Sequence, residues 1–184
     1  MSGFGPGALS PFIKTMLIVN GAIFVLQNIF PHLTNFLSLV PGQFFQDFPN
    51  RLYQPFTYMF LHGDFFHILF NMFALWMFGT EIEYTWGTKK FGRFYILAGL
   101  SAAVLTLLVQ SNDFVRVLGA SGAVYGILVA YWLMFPNRTV YLYFVFPVKV
   151  KWFVPGFMLL GFVMGGRDIA HMAHLGVLFM VSYI

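Results

Sequence analysis

The chain has 184 residues, of which 59% are hydrophobic and only 9% are charged, with a mean hydropathy of +0.78. An ordinary soluble domain carries about 25% charged residues, so a chain this apolar could not cover its own surface in water. The absence of cysteine excludes disulfides and thiolate chemistry, and the net charge of +4 bears on membrane topology rather than on nucleic acid. We therefore expect an integral membrane protein with one domain over residues 1–184.

Six apolar segments follow one another along the chain. A helix that crosses the hydrocarbon core needs about 20 predominantly apolar residues. The predicted membrane helices cover residues 12–30, 56–79, 91–109, 118–135, 150–165 and 169–184. The last two are short, and we expect the sixth to be truncated at the end of the sequence. Irregular connectors are expected over 34–55 and 136–147. The expected fold is an all-α bundle of six membrane helices.

The lysine and arginine residues predict the orientation of this bundle. With the N-terminus inside, seven basic residues fall on the inner side and three on the outer side. The inner set is Lys14, Lys89, Lys90, Arg93, Arg138, Lys149 and Lys151, and the outer set is Arg51, Arg116 and Arg167. The positive-inside rule therefore favours an inside N-terminus. No internal repeat is visible, which argues against an inverted-repeat transporter.

The second segment carries polar residues at membrane depth, where they are costly and are functional candidates by default. His67 and Asn71 are four residues apart and share one helix face, whereas His62 points about 140° away from His67. Two interpretations remain open for these side chains. They are either donors in a catalytic site or hydrogen-bonding groups that hold helices together.

The fourth segment opens on the sequence Gly-Ala-Ser-Gly at 119–122. A serine at a helix start lies beside backbone N–H groups that lack intrahelical partners, and these donors, with the helix dipole, could hold an oxyanion. Tyr125 follows Ser121 by one turn and shares its face. The alternative is a packing face formed by Gly122 and Gly126, with the serine as a helix cap.

The sixth segment contains Asp168, His171 and His174. Either histidine could act as a general base, and the three residues could alternatively bind a metal ion. No His-Glu-x-x-His motif occurs, and the six acidic residues lie near predicted helix ends or in loops, so we expect no metal and no other cofactor. A serine, a histidine and a His/Asn pair on three helices match the needs of acyl transfer. Without a buried Asp, a Ser-His dyad is predicted.

These motifs together resemble the rhomboid family of intramembrane serine proteases over most of the chain. Residues 58–72, Tyr-Met-Phe-Leu-His-Gly-Asp-Phe-Phe-His-Ile-Leu-Phe-Asn-Met, are similar to the second-helix signature of the family. Residues 83–87, Glu-Tyr-Thr-Trp-Gly, are similar to its Glu-x-x-x-Gly turn. Residues 119–122 resemble the active-site Gly-x-Ser-Gly, and residues 173–176, Ala-His-Leu-Gly, resemble the catalytic segment of helix six.

The resemblance implies that Ser121 is the nucleophile and His174 the general base, with His171 as a bystander. It also implies that His67, Asn71 and the backbone N–H of Ser121 form the oxyanion hole. The implied reaction is hydrolysis of peptide bonds in or near the membrane segments of single-pass membrane proteins, and no nucleic-acid partner is expected.

Supporting roles are implied for Gly119, Tyr125, His62 and Glu83. The first two lie beside the nucleophile, the third ties the first outer loop to the second helix, and the fourth braces the inner turn. Residues 31–55 would form the membrane-embedded first loop of the family. One departure stands out: Val177 and Val181 occupy places where the family usually has glycine, and their bulk would push helix six away from helix four.

Two other functions remain open from the sequence. A non-catalytic relative would bind membrane helices without cutting them. A small proton or ion transporter would use His67, Asn71 and His174 as a polar path, and would leave the Gly-x-Ser-Gly sequence with a packing role only. In each case we expect a multi-pass integral membrane protein in contact with membrane lipid, located in the inner or plasma membrane if the protein is bacterial.

Overall fold

The computed structural model describes residues 8–142 and 146–164. Within them the chain forms eight α-helices, one 3₁₀ turn and one β-hairpin. The helices are α1 (Pro11–Ile29), α2 (His32–Leu37), α3 (Pro41–Gln46), α4 (Gln54–Thr57), α5 (Phe65–Trp86), α6 (Thr88–Val109), α7 (Ser121–Met134) and α8 (Val150–Met164). The 3₁₀ turn (Tyr58–Phe60) follows α4, and strands β1 (Thr139–Leu142) and β2 (Phe146–Lys149) join α7 to α8. The predicted sixth segment lies outside the described residues.

Three of the described helices, α1, α5 and α6, are long and apolar enough to cross a membrane. Helices α7 and α8 are apolar but shorter. Large apolar side chains on the three long helices point outward, among them Ile18, Phe70 and Leu108, each more than 60% exposed. Such a surface would be unstable in water and suits contact with lipid. The predicted segments 12–30, 91–109, 118–135 and 150–165 correspond to α1, α6, α7 and α8.

The prediction of a membrane helix over 56–79 is wrong at both ends, because α5 covers Phe65–Trp86. Its start is set by Asp64, whose extended backbone and carboxylate cap the helix by accepting a hydrogen bond from the His67 N–H at 2.9 Å. Its end comes at Gly87, where φ is +80°. The helix continues past residue 79 because the carboxylates of Glu81 and Glu83 find partners inside the protein.

The connectors contain more regular structure than the sequence predicts. Residues 34–55 include most of α2, all of α3 and the start of α4. Residues 136–147 include most of an antiparallel hairpin, in which Thr139 lies opposite Lys149 and Val140 opposite Val148. The β-branched residues of this segment favour an extended backbone. The described fold is therefore helical with one small hairpin, which corrects the all-α prediction.

Glu83 anchors the start of α1 to the end of α5. Its side chain is 2% exposed and accepts hydrogen bonds from the Ser10 hydroxyl and from the backbone N–H groups of Phe12, at 2.9 Å, and Ile13, at 3.1 Å. The Thr88 hydroxyl at the start of α6 adds a fourth donor at 2.8 Å. One buried carboxylate thus satisfies donors at the starts of two helices, which would otherwise be costly to bury.

Five helix ends meet at this level of the bundle, which we call the Glu83 end. Glu81 accepts hydrogen bonds from Tyr131 near the end of α7 and from Arg138 just beyond it. The Arg138 carbonyl in turn accepts the N–H of Val150 at the start of α8. All seven basic residues assigned to the inner side of the membrane belong to this end. We call the opposite end, where α5 and α7 begin, the Ser121 end.

Small residues let α6 and α7 approach closely. A Cβ atom at Gly122 would lie 2.6 Å from the Cβ of Ala102, and one at Gly126 would lie 2.8 Å from the Cβ of Ala98. Both distances are too short for real side chains, so glycine is required at both positions. The packing interpretation therefore holds for Gly122 and Gly126, and it does not account for Ser121.

Candidate active site

Ser121 occupies the first turn of α7, where no side chain of the described residues caps the backbone donors. Gly119 has φ of +126°, a conformation that only glycine adopts without strain, and this turn directs the chain into the helix. The first helical hydrogen bond runs from the Val124 N–H to the Ala120 carbonyl. The N–H groups of Ser121 and the two residues after it thus lack an intrahelical partner. The helix dipole adds partial positive charge at the same place.

His67 lies directly against this turn. A Cβ atom at Gly119 would be 2.7 Å from Nε2 of His67 and 3.6 Å from Oγ of Ser121. The missing side chain therefore leaves room for the imidazole edge to lie beside the serine hydroxyl. The structure brings together two of the site residues predicted from separate segments, and it shows that a glycine between them makes the approach possible.

The hydrogen bonds of His67 determine which ring nitrogen carries the proton. Nδ1 accepts a hydrogen bond from the backbone N–H of Gly63 at 3.3 Å. In a neutral imidazole the other nitrogen is then the donor. Nε2, the atom near Gly119, therefore carries the N–H group. The side chain is prepared to donate a hydrogen bond in the space beside Ser121.

Asn71 lies one turn after His67 on α5 and is 7% exposed. Its Nδ2 atom donates to the His67 carbonyl at 2.9 Å, which uses one of the two amide protons. Among the described residues the second proton has no partner, so it can serve a ligand. Tyr125 is half-buried on α7, one turn after Ser121. These positions are compatible with the predicted roles and do not by themselves test them.

His62 is fully buried, and its ring meets that of His67 with the centroids 5.1 Å apart. Burial, with a smaller contribution from the neighbouring His67, lowers the pKa of His62 to about 4. Its backbone is held by Gln27 of α1, which donates to the His62 carbonyl and accepts the His62 N–H at 3.1 Å. Sequence reasoning missed Gln27, although a polar residue inside an apolar segment was a sufficient signal.

The predicted general base, His174, lies outside the described residues, as do Asp168, His171, Val177 and Val181. The pairing of nucleophile and base therefore remains a prediction. Within residues 8–142 and 146–164, no group of three His, Asp or Glu side chains is placed to hold a metal ion.

An apolar groove separates α5 from α8. It has a volume of about 640 Å³. It is lined by Phe70, Phe73, Ala74, Phe78, Leu128, Val148, Trp152, Phe153, Gly156 and Phe157. The rings of Phe78 and Phe153 stack across it with their centroids 6.0 Å apart. The groove begins on the same helix that carries His67.

The fold and the site define a helical membrane protein in which a serine, a histidine and free backbone donors meet at a helix start. Residues 49–183 match the family model described as the Rhomboid domain. The chain therefore belongs to the rhomboid family.

Relatives of the chain include three mitochondrial proteins. It is 31% identical over 173 residues to RHOMBOID-like protein 12, mitochondrial, of Arabidopsis thaliana, covering 84% of this chain and 48% of that protein. It is 34% identical over 93 residues to Rhomboid protein 1, mitochondrial, of Saccharomyces cerevisiae, covering 48% and 27%. It is 31% identical over 136 residues to Presenilin-associated rhomboid-like protein, mitochondrial, of Rattus norvegicus, covering 68% and 35%. The chain thus spans about half or less of the length of these relatives.

Proposed function

We propose that the protein is an intramembrane serine endopeptidase that works by a dyad of Ser121 and His174. The observation that carries the proposal is the arrangement at the start of α7. There the Ser121 hydroxyl, free backbone N–H groups and the Nε2 edge of His67 converge around a glycine whose Cβ would collide with the imidazole. A packing role alone would not need a donor placed beside a serine.

The proposed reaction proceeds in two steps. Ser121 attacks a peptide carbonyl while His174 takes the hydroxyl proton, and His174 then returns a proton to the leaving amine. The acyl-enzyme is hydrolysed by water in the second step. The carbonyl oxygen becomes negatively charged in each tetrahedral intermediate, and His67, Asn71 and the Ser121 N–H stabilise it. The Gly63 N–H contributes indirectly, since it keeps the His67 proton on Nε2.

The groove between α5 and α8 is the proposed route by which a substrate helix reaches the site. Its walls are almost wholly aromatic or aliphatic, which suits a membrane segment of a single-pass protein and not a soluble peptide. Gly156 on α8 has no atom within 4 Å of where its Cβ would stand, so this helix presents open space to an approaching chain.

The proposed topology has six membrane helices with the N-terminus inside. The Glu83 end carries all seven basic residues of the predicted inner set, and the positive-inside rule assigns that end to the inner side. The Ser121 end carries Arg51 and Arg116 in the described part of the chain. The catalytic site would then open toward the outer face, where water for hydrolysis is at hand.

Labelling with a serine-directed fluorophosphonate tests the proposal, together with cleavage of a model single-pass substrate. Wild-type protein should be labelled and active, and Ser121→Ala should lose both while it melts at the same temperature. Ser101→Ala, which removes a hydroxyl from the middle of α6, serves as the matched control and should keep both. Full cleavage by Ser121→Ala would refute the mechanism. Absence of labelling and cleavage in the wild type would favour a non-catalytic helix-binding protein.

A further inference from the structure

Two adjoining cavities lie at the start of α6, on the Glu83 end. The first has a volume of about 470 Å³ and is open at the surface. Its lining is Trp86, Gly87, Thr88, Lys89, Lys90 and Arg93. We call it the basic pocket. It is distant in the fold from Ser121, and the proposed proteolysis makes no use of it.

The three basic side chains of this pocket make no ion pair with any residue of the described chain. Lys89, Lys90 and Arg93 are exposed, and Lys90 Nζ lies 4.8 Å above the ring of Trp86. Two arginines of the described chain do form ion pairs, Arg51 with Asp47 and Arg138 with Glu81.

Glu83 makes no direct ion pair with these three cations among the described residues. Its carboxylate is buried and is already bonded to four donors from α1 and α6. Three positive charges within little more than one helical turn repel one another unless an anion lies between them. The pocket therefore has the charge to hold an anion, and the described residues place no carboxylate in an ion pair with it.

The second cavity continues from the first along α6. It has a volume of about 520 Å³ and shares Thr88, Lys89 and Arg93 with the basic pocket. Its other lining residues are Phe12, Gly92, Ile96 and Leu97. We call it the apolar groove of α6. Ile96 and Leu97 lie about two turns from the helix start, so the groove runs from the membrane surface toward its interior.

Gly92 lies at the base of this groove, and its lack of a side chain keeps the groove open. A Cβ atom at this position would lie 2.9 Å from Cε2 of Phe12, so any larger residue would push the ring out into the groove. The cations at the opening match the charged headgroup of a phospholipid. The apolar channel below them matches an acyl chain. A free phosphate would use only the mouth.

We propose that the two cavities together bind one anionic phospholipid. The phosphodiester lies among Lys89, Lys90 and Arg93, and one acyl chain lies in the apolar groove along Gly92 and Leu97. Basic pockets on the inner side of membrane proteins bind anionic headgroups in this way. The bound lipid neutralises the repulsion among the three cations and fixes the turn between α5 and α6.

The test uses the full chain in dodecyl maltoside micelles with dioleoyl phosphatidylglycerol as the probe. Binding is counted by native mass spectrometry. Dioleoyl phosphatidylcholine and glycerol 3-phosphate serve as comparison ligands in the same measurement. The double variant Lys89→Gln/Arg93→Gln should weaken phosphatidylglycerol binding roughly tenfold to thirtyfold. The double variant Lys149→Gln/Lys151→Gln removes the same charge from the same end and should leave binding within about twofold of wild type.

A third variant, Leu97→Trp, tests the acyl chain by filling the groove. It should weaken binding of phosphatidylglycerol and leave any weak binding of glycerol 3-phosphate unchanged. Equal loss in the two charge variants would overturn the proposal in favour of diffuse attraction. So would equal binding of phosphatidylcholine, or glycerol 3-phosphate binding as tightly as the lipid. If the Lys89→Gln/Arg93→Gln variant does not fold, Lys89→Gln alone, at an exposed position, must show a smaller loss of phosphatidylglycerol binding.

Discussion

The two ends of the bundle differ in how far their polar groups are satisfied by hydrogen bonds. At the Glu83 end, Glu83 is bonded to four donors from two helices, and Glu81 is bonded to Tyr131 and Arg138. At the Ser121 end, donors at the start of α7 remain free, and neither ring nitrogen of His62 has a side-chain or backbone partner within hydrogen-bond geometry in the described part of the chain.

This difference indicates that the Glu83 end contributes mainly to stability, whereas the Ser121 end is arranged for chemistry. A buried carboxylate whose hydrogen-bonding capacity is satisfied holds helices in place, and its removal would leave its donors without partners. Donors left free at a helix start lower stability, and they are of use only when a ligand or a transition state needs them. Helices α5 and α7 connect the two ends, and the contacts around Gly119 position His67 beside Ser121 at the Ser121 end itself. Three predictions test this separation.

The largest effect is expected on stability from Glu83→Ala. The change leaves four donors without a partner, three of them from Ser10, Phe12 and Ile13, and should lower the free energy of unfolding by roughly 4 kcal/mol. Catalysis per folded molecule should stay near wild type. The measurement is unfolding in mixed micelles together with kcat for the folded fraction.

The matched control for this prediction is Glu81→Ala. This neighbouring carboxylate is partly exposed, and its loss should cost only about 1 kcal/mol. If Glu83→Ala lowered kcat as strongly as it lowers stability, the two ends would not be separable in the way we argue.

The next effect is expected on catalysis from Gly119→Ala. The added methyl group meets His67 Nε2 at 2.7 Å, so the imidazole must move away from Ser121. A displacement of about 1 Å in a catalytic group costs roughly 10²-fold, so kcat should fall by about that factor. Gly21→Ala is the control, because nothing lies within 4 Å of its Cβ position, and it should be neutral or stabilising by up to about 1 kcal/mol. Wild-type kcat in Gly119→Ala would show that His67 is not part of the site.

The smallest effect is a loss of stability in acid caused by His62. Its pKa is about 4 in the folded protein, against about 6.5 in the unfolded chain. The unfolded state therefore binds the proton first, and the stability due to the neutral ring is complete above pH 6.5 and is lost as pH falls toward 4. Between pH 7 and pH 5 the loss should be roughly 2 kcal/mol. Since His67 is retained in His62→Leu, the difference between that variant and wild type isolates His62. Parallel stability curves would contradict the prediction.

Several features of the fold and site follow from the sequence for clear physical reasons. Long apolar segments must become helices in a membrane, because every backbone polar group needs an internal partner there. The placement of Lys and Arg in the sequence predicts which helix ends lie together. The Glu83 end contains all seven basic residues of the predicted inner set. The motifs at 58–72 and 119–122 also led to His67 and Ser121, which the structure brings side by side.

Other features could not be predicted from the sequence. Apolar periodicity does not distinguish residues 56–64 from the helix that follows, and only the cap at Asp64 sets the true start. The contact between Gln27 and His62 joins residues 35 positions apart in the chain. The apolar groove of α6 is lined in part by Phe12 of α1, which packs on Gly92 of α6, so this groove depends on a contact between distant segments.

The sequence by itself determined that this chain is a membrane protein of helices, which basic residues gather at one end of the bundle, and which serine and histidines are candidates for chemistry. These properties depend on composition, local pattern and short motifs, which every segment carries alone. The tertiary structure decided which of these residues meet and that Glu83 serves two helix starts. Those outcomes depend on contacts between distant segments, and the energy of such a contact is defined only when both partners are in place.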